Sequence, residues 1–149
     1  GTYTGYSALC LAEGLQKDGE LHTIEVNEEL HEMQRRYFDR SGFGPQIKQH
    51  IGDALDIVPE LDPTFDLVFI DAQKVNYDAY FEAVIQKTRP GSVILSDNVL
   101  WSGKVVEPLQ KSDKATAVLL EYNQKLKEDP RVETVLLPIR DGLTLSRVL

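Results

Sequence analysis

The chain has 149 residues, 42% of them apolar and 27% charged, and a formal net charge of -8. That is enough for one domain with a real core but not two, in the composition of an ordinary soluble globular protein. The acidic balance leaves no basic stripe for nucleic acid and disfavours an anionic membrane surface. The lone cysteine, Cys10, permits no internal disulfide and points to a reducing cytoplasm. No apolar run reaches the roughly 18 to 20 residues of a membrane span, and no signal-peptide pattern is visible.

The chain opens inside a motif, at Gly1 and without an initiator Met, so it reads as truncated on its N-terminal side. Gly1-Thr2-Tyr3-Thr4-Gly5-Tyr6-Ser7 is a glycine-bearing loop, and the apolar spacing from Ala8 to Leu15 fits a helix after it. Such a loop presents backbone N–H groups and lets a ligand approach the main chain. Alone, two glycines before a helix also make a plain turn. Leu21 to Val26 is a short strand with Glu25 near its end, 24 residues beyond Gly1. Dinucleotide-binding folds place an acid about 20 residues past the glycine loop, on ribose hydroxyls. The competing reading of Glu25 is a solvated acid opening the next helix.

Asn27 suits a helix cap, with Glu28 and Glu29 at the positive end of the dipole and the helix running to about Arg40. Ser41 to Pro45 breaks it. Gln46 to Ile51 reads as a strand, and Gly52-Asp53-Ala54 turns into a helix over Leu55 to Leu61. Asp53 is the expected cap there. It also stands at a strand's carboxyl end, within reach of a purine amine.

Phe65 to Ile70 contains the apolar run Leu67 to Ile70, the pattern of a strand buried on both faces in a parallel sheet. It stops at Asp71, and Lys74 follows three positions later. Tyr77 to Ile85 is a helix with an apolar face. Pro90-Gly91 turns into a strand, Ser92 to Ser96, which ends in Asp97-Asn98. Val99 to Lys104 is a loop in which Trp101 is either core or a stacking surface. A helix from about Ala115 to Lys127 follows. Strands Val132–Ile139 and Leu143–Val148 close the chain around Asp141-Gly142, a signal for a two-residue type I′ hairpin.

Strands and helices alternate and finish in an antiparallel hairpin, which predicts an α/β, Rossmann-like, doubly wound, mostly parallel sheet over residues 1–149. The strand that would precede Gly1 is central in such a fold and is missing from this chain. Ligands of open α/β sheets collect beyond the carboxyl ends of the strands. Neighbouring strands would bring Asp71, Asp97 and Asn98 together there, an all-oxygen set suited to a hard divalent cation. Singly, Asp71 reads as a helix-capping acid, Asp97-Asn98 as a turn and Lys74 as a solvated lysine. Their joint placement favours a metal site.

In these motifs the chain resembles the S-adenosylmethionine (SAM)-dependent, metal-dependent catechol and caffeoyl-CoA O-methyltransferases, nearest the caffeoyl-CoA and bacterial branch. The resemblance runs from Gly1 to Leu149. It rests on Gly1 to Ser7, Ile24-Glu25, Gly52-Asp53-Ala54, Asp71-Ala72-Gln73-Lys74, Asp97 to Trp101 and Asp141-Gly142. It implies a class I methyltransferase fold that moves the methyl group of SAM to a hydroxyl of a catechol-like phenol. Gly1, Thr2 and Ser7 would contact the methionine end of SAM. Glu25 would hold the ribose, Asp53 and Ala54 would border the adenine, and Asp71 would also border the cofactor. Asp71, Asp97 and Asn98 would ligate the metal, with Mg²⁺ expected and Ca²⁺ or Mn²⁺ as alternatives. Lys74 would be the catalytic base, and Trp101 and Ser102 would line the substrate site. The family is commonly homodimeric. The animal catechol enzymes' substrate-binding glutamate has no counterpart near Val135, which argues against catechol itself.

Two rivals remain at this level. A nicotinamide-dependent dehydrogenase would carry G-x-G-x-x-G, whereas this chain has G-x-x-x-G and no third glycine. Such a dehydrogenase would also have no need of the Asp71, Asp97 and Asn98 oxygens. The second rival is a non-catalytic nucleoside-binding module, which methyl transfer to a catechol-bearing phenol, with and without Mg²⁺, separates from the enzyme.

Overall fold

The computed structural model describes residues 1–149. The chain divides into two compact units, Gly1–Glu60 and Leu61–Leu149. No helix is long and apolar enough to cross a membrane.

In the first unit, α1 (Tyr6–Ala12), β1 (Leu21–Glu25), α2 (His31–Ser41), β2 (Ile47–Ile51) and α3 (Ala54–Glu60) follow in order. β1 and β2 pair in parallel, Leu21 against Ile47 through Glu25 against Ile51. Ala8 and Ala12 of α1, Phe38 of α2 and Ile47 of β2 form the core, with Leu9, Leu15, Leu21 and Phe43 packed on it. Asn27 caps as expected, accepting from the Glu29 N–H, but the turn it caps is a 3₁₀ turn, Glu28–Leu30, that leads into α2. The helix ends at Gly42, whose φ of 86° an L side chain would resist. Asp53 also caps as expected, its Oδ1 accepting the Leu55 N–H at 2.9 Å.

The second unit runs β3 (Phe65–Ile70), α4 (Tyr77–Ile85), β4 (Thr88–Asp97), α5 (Lys114–Glu128), β5 (Val132–Leu137) and β6 (Leu143–Val148). Its four-stranded sheet has the order β3-β4-β6-β5. β3 and β4 are parallel, while β6 runs antiparallel to both its neighbours. Tyr77, Phe81, Val84 and Ile85 recur at helical spacing on α4, and Leu119, Tyr122 and Leu126 on α5; all are buried. Tyr122 stands edge-on to both Tyr77 and Phe81, and its hydroxyl meets Ser96 Oγ at 2.7 Å. The α/β expectation therefore holds.

Four local expectations are corrected. Within residues 1–149 β3 is not buried on both faces: it pairs with β4 alone, and Leu67 is 47% exposed. The strand expected over Ser92 to Ser96 starts earlier, at Thr88, because a bulge absorbs Pro90-Gly91. Phe65 pairs with Thr88 and Leu67 with Val93, so Arg89, Pro90, Gly91 and Ser92 stand opposite Asp66 alone. Ser92 secures the bulge, accepting from the Arg89 N–H and donating to the Phe65 carbonyl. The Val99 to Lys104 loop contains a 3₁₀ segment, Trp101–Val106, kinked at Ser102 and Gly103. Finally, Asp141-Gly142 is not a two-residue I′ turn. β5 ends at Leu137, so the loop is residues 138–142, and positive φ falls on Arg140 and Gly142 rather than on Asp141. Asp141 is drawn off by tertiary contacts described below.

Candidate active site

The glycine loop of the first unit is fastened to β1. The Thr2 N–H donates to the Ile24 carbonyl at 3.0 Å, and the Thr2 and Thr23 hydroxyls meet at 2.7 Å. Tyr3 then takes a left-handed φ of 48° and donates its N–H to Glu25 Oε2 at 2.8 Å. Glu25 is 7% exposed, and its Oε1 accepts the Asn27 N–H at 3.0 Å. Burial raises its pKa, but these N–H bonds outweigh it and hold the carboxyl below the usual range. A side chain at Gly1 would come within 3.1 Å of Glu25 Oε2. Gly5, with φ 85°, has no room for a Cβ, which would fall 2.7 Å from Phe38 Cε1. Its approach to Phe38 seats the loop on α2.

Gly1, Thr2 and Glu25 are thus brought together. Asp53 and Ala54 lie at the end of the neighbouring strand, where the Gly52 N–H donates to the Glu25 carbonyl at 2.9 Å. Ser7 is exposed in the first turn of α1. The set fits a nucleoside-bearing ligand: a buried carboxylate for hydroxyls beside a glycine-bearing loop.

In the second unit, four residues gather on one amine. Lys74 Nζ lies 3.3 Å from Asp71 Oδ1, 3.0 Å from Asn98 Oδ1 and 3.3 Å from the Asp97 carbonyl oxygen. It also donates to the Tyr77 hydroxyl, which in turn donates to the Asp97 carbonyl at 2.8 Å. The Asp97 carboxylate accepts the Asn98 N–H at 2.7 Å. The strand ends thus do what their register requires: β3 and β4 deliver Asp71 and Asp97-Asn98 to the same edge. Lys74 is 8% exposed, whereas the Asp71 side chain is 44% exposed. Burial pulls the Lys74 pKa below the usual lysine value, and Asp71, Asp97 and Asp141 pull back only in part. Burial pushes the Tyr77 phenol well above its ordinary value, so the hydroxyl stays protonated and able to donate.

No three His, Cys, Asp or Glu side chains gather closely enough to make a metal cage by themselves. The candidate set has two carboxylates and a carboxamide, and its oxygens already attract one cationic group, the Lys74 ammonium. That donor chemistry fits a hard divalent cation whose remaining positions go to water or substrate.

Beyond Asn98 the backbone is forced. Asn98, Trp101 and Ser102 have φ of 57°, 50° and 56°. Asparagine tolerates this region, but tryptophan and serine need support. The β5–β6 loop supplies it. The Asp141 carbonyl accepts the Leu100 N–H at 2.9 Å, its Oδ1 accepts the Ser102 N–H at 2.5 Å, and the Gly142 carbonyl accepts the Val99 N–H at 3.2 Å. A Cβ at Gly142 would lie 2.5 Å from Leu100 Cγ, so only glycine allows this approach. Trp101 sits with its ring centroid 5.9 Å from Lys74 Nζ, and its Nε1–H is buried with no acceptor in the protein. Ser102 is exposed.

Sequence reasoning missed Tyr77 and Asp141 at this site. Tyr77 has the spacing of a core aromatic, and only its i,i+3 relation to Lys74 hints at more. Asp141 was absorbed into a turn signal.

Comparison with known proteins agrees with the motifs. A family model described as O-methyltransferase matches residues 1–149. Caffeoyl-CoA O-methyltransferase 1 of Arabidopsis thaliana is 35% identical across 99% of this chain and 61% of its own length. The caffeoyl-CoA O-methyltransferase of Petroselinum crispum is 35% identical, with 99% and 66% covered. The chain therefore spans about two thirds or less of the plant relatives it matches. Among solved structures, the O-methyltransferase TomG of Streptomyces achromogenes, in complex with SAM, superposes with a TM-score of 0.91 at 33% identity over 99% of this chain and 70% of that one. An O-methyltransferase from Bacillus cereus, in complex with SAH, gives 0.92 at 30% identity over 100% and 71%. These matches set the dehydrogenase alternative aside. The glycine loop, the strand-end oxygens and the fold all lead to one assignment: the chain belongs to the O-methyltransferase family.

Proposed function

We propose that this protein methylates a hydroxyl of a small phenolic acceptor bearing two adjacent hydroxyls, using SAM and a divalent cation. The observation that carries the reading is the buried Lys74 amine, held below its ordinary pKa and ringed by Asp71, Asn98 and Asp97 at two adjoining strand ends. Burial there favours the neutral form that a base must present, while Asp71, Asp97 and Asp141 oppose it in part.

Gly1, Thr2, Ser7, Glu25, Asp53 and Ala54 of the first unit would hold SAM, and Asp71, Asp97 and Asn98 of the second would hold the cation. When bound, the one supplies an activated methyl group and the other acidifies hydroxyls near it. The chain's own residues do the rest. Lys74 Nζ accepts the proton of the acceptor hydroxyl. Tyr77 fixes the direction of Nζ and of the Asp97 carbonyl. Trp101 offers a flat apolar wall beside Lys74, its ring centroid 5.9 Å from Nζ. Positioning of the two reactants is the main contribution expected from the fold. The family's homodimer is proposed for this protein as well.

The test is methyl transfer from SAM to a phenol with vicinal hydroxyls, measured with Mg²⁺, with EDTA, and with Lys74→Ala. Activity is expected only for the wild type with metal. Activity that survives both EDTA and Lys74→Ala overturns the metal–lysine reading.

A further inference from the structure

The glycine loop is held from a side that its motif does not announce. Gln34, in the middle of α2, is 1% exposed, an unusual place for an uncharged amide among core residues. Its Nε2 donates to the carbonyl of Tyr3 at 2.6 Å. Tyr3 is the left-handed non-glycine residue of the loop, and its N–H is the one in the loop that meets Glu25. The same residue is therefore gripped at both ends: carbonyl by Gln34, N–H by Glu25. A non-glycine residue stays in this region only where its surroundings over-determine it.

Behind Gln34 stands Gln49 of β2. Its Nε2 donates to Gln34 Oε1 at 3.1 Å and lies 3.4 Å from the His31 carbonyl. Both of its amide hydrogens are thus directed at oxygens, which fixes its orientation. That leaves Gln34 only one orientation: oxygen toward Gln49, nitrogen toward Tyr3. The far oxygen, Gln49 Oε1, is buried and meets no donor in the protein. A buried amide pair with an unsatisfied oxygen is a poor way to build a core, because an apolar pair of similar volume would pack there without that penalty. Its advantage lies at the Tyr3 end, where the carbonyl needs a donor that no backbone group supplies.

We propose that Gln34, oriented by Gln49, is a positioning residue for the cofactor loop: it clamps the Tyr3 peptide in its left-handed conformation and so presents Glu25 and the loop N–H groups ready-made to the nucleoside. This rests on the cofactor reading given above. Without the clamp, Tyr3 relaxes to ordinary φ, its N–H leaves Glu25, and the competent loop becomes one conformer among several. The apparent Kd for the ligand is the intrinsic value divided by the competent fraction, so a fall of that fraction to about a tenth weakens binding about tenfold.

The experiment uses the double variant Gln34→Leu/Gln49→Leu, which removes both amides and refills their volume, beside Glu25→Ala. Four quantities are read: melting temperature, hydrogen exchange of the Tyr3 and Gly5 amides in the unliganded protein, Kd for S-adenosylhomocysteine by calorimetry, and KM against kcat for SAM. In the double variant the melting temperature is expected to stay level or rise. Exchange at Tyr3 and Gly5 accelerates about tenfold, and Kd and KM rise about tenfold with kcat changed less than about twofold. Unchanged exchange at Tyr3 together with unchanged Kd overturns the clamp. So does weakened binding that comes with lost protection throughout β1, since the pair is then merely structural. Glu25→Ala separates the two readings. If it abolishes binding while the double variant binds normally, the clamp alone fails. If it binds normally while the double variant does not, Glu25 leaves the proposed ribose site, and what is left of the clamp is the Gln34 bond acting on the loop N–H groups.

Discussion

At Lys74 two opposing influences meet, and their balance sets a testable pH dependence. Burial disfavours the ammonium, whereas Asp71, Asp97 and Asp141 favour it, and burial prevails. In the role proposed for Lys74 the base form is the neutral amine, so the rate is expected to rise with pH as Lys74 loses its proton. Because the pKa is lowered, that rise falls below the ordinary lysine value of about 10.4. In a pH profile of kcat/KM, Lys74→Ala is expected to erase this limb and to reduce the rate by about 10² to 10⁴. A limb that persists in the variant assigns it to another group. Much of this was legible in the sequence, since a carboxylate, a lysine three residues on and a second acid–amide pair are all visible as letters. Gln34 was not. A glutamine amid helical spacing carries no mark of what it faces, and only the fold puts the Tyr3 carbonyl beside it. Tyr77 was hidden for the opposite reason: its place in an apolar stripe explains it so well that its hydroxyl goes unnoticed.

Among the elements, α4, α5 and the segment leading into β5 are tied by charge as well as by packing. Glu82 of α4 accepts two bonds from Arg131, at 2.9 and 2.7 Å, and one from Lys125 of α5 at 2.5 Å. Arg131 is also bound by Asp129 at 2.6 Å, and Lys125 by Asp78. Arg131 above all, with Lys125, lowers the Glu82 pKa to about 2 against partial desolvation. The folded-state pKa is depressed, so this contribution is whole above about 4.5 and disappears as the pH falls toward about 2. The side chain is 40% exposed, and solvent screening keeps the effect modest. Thermal melts should show Glu82→Gln less stable than wild type at pH 6, with the gap closing below pH 4. A gap independent of pH would mean that Glu82 acts by shape alone. Element type was easy to read from the sequence, and Tyr77 to Ile85 was bounded correctly. The failures were at places where a distant partner decides: the Pro90-Gly91 bulge, stabilised by Ser92 across the strand pair, and the Asp141-Gly142 loop, pulled open by its bonds to Leu100 and Ser102.

For the whole molecule, ligand linkage is the useful handle, since anything that binds only the folded chain raises its stability by mass action. Mg²⁺ in the millimolar range is expected to raise the melting temperature of the wild type, and Asp97→Asn to abolish that rise. S-adenosylhomocysteine at 100 times its Kd should add about 2.7 kcal/mol whether or not the metal-site variant is present. A Mg²⁺ shift that survives Asp97→Asn removes Asp97 from the proposed metal set. At this scale the alternation of strands and helices gave the α/β class directly. Within residues 1–149 β3 pairs with β4 alone, so the apolar run Leu67 to Ile70 reports a demand for cover that these residues do not meet.

The seam between the Asn98–Ser102 turn and residues 138–142 also bears on engineering. If the proposed acceptor site is redesigned by loop grafting, the tryptophan-bearing turn is the obvious piece to transplant. Its unusual backbone is dictated by donors and acceptors encoded some forty positions downstream. A graft of the turn alone would arrive without its mould, so the two segments have to be exchanged as a matched pair, glycine included.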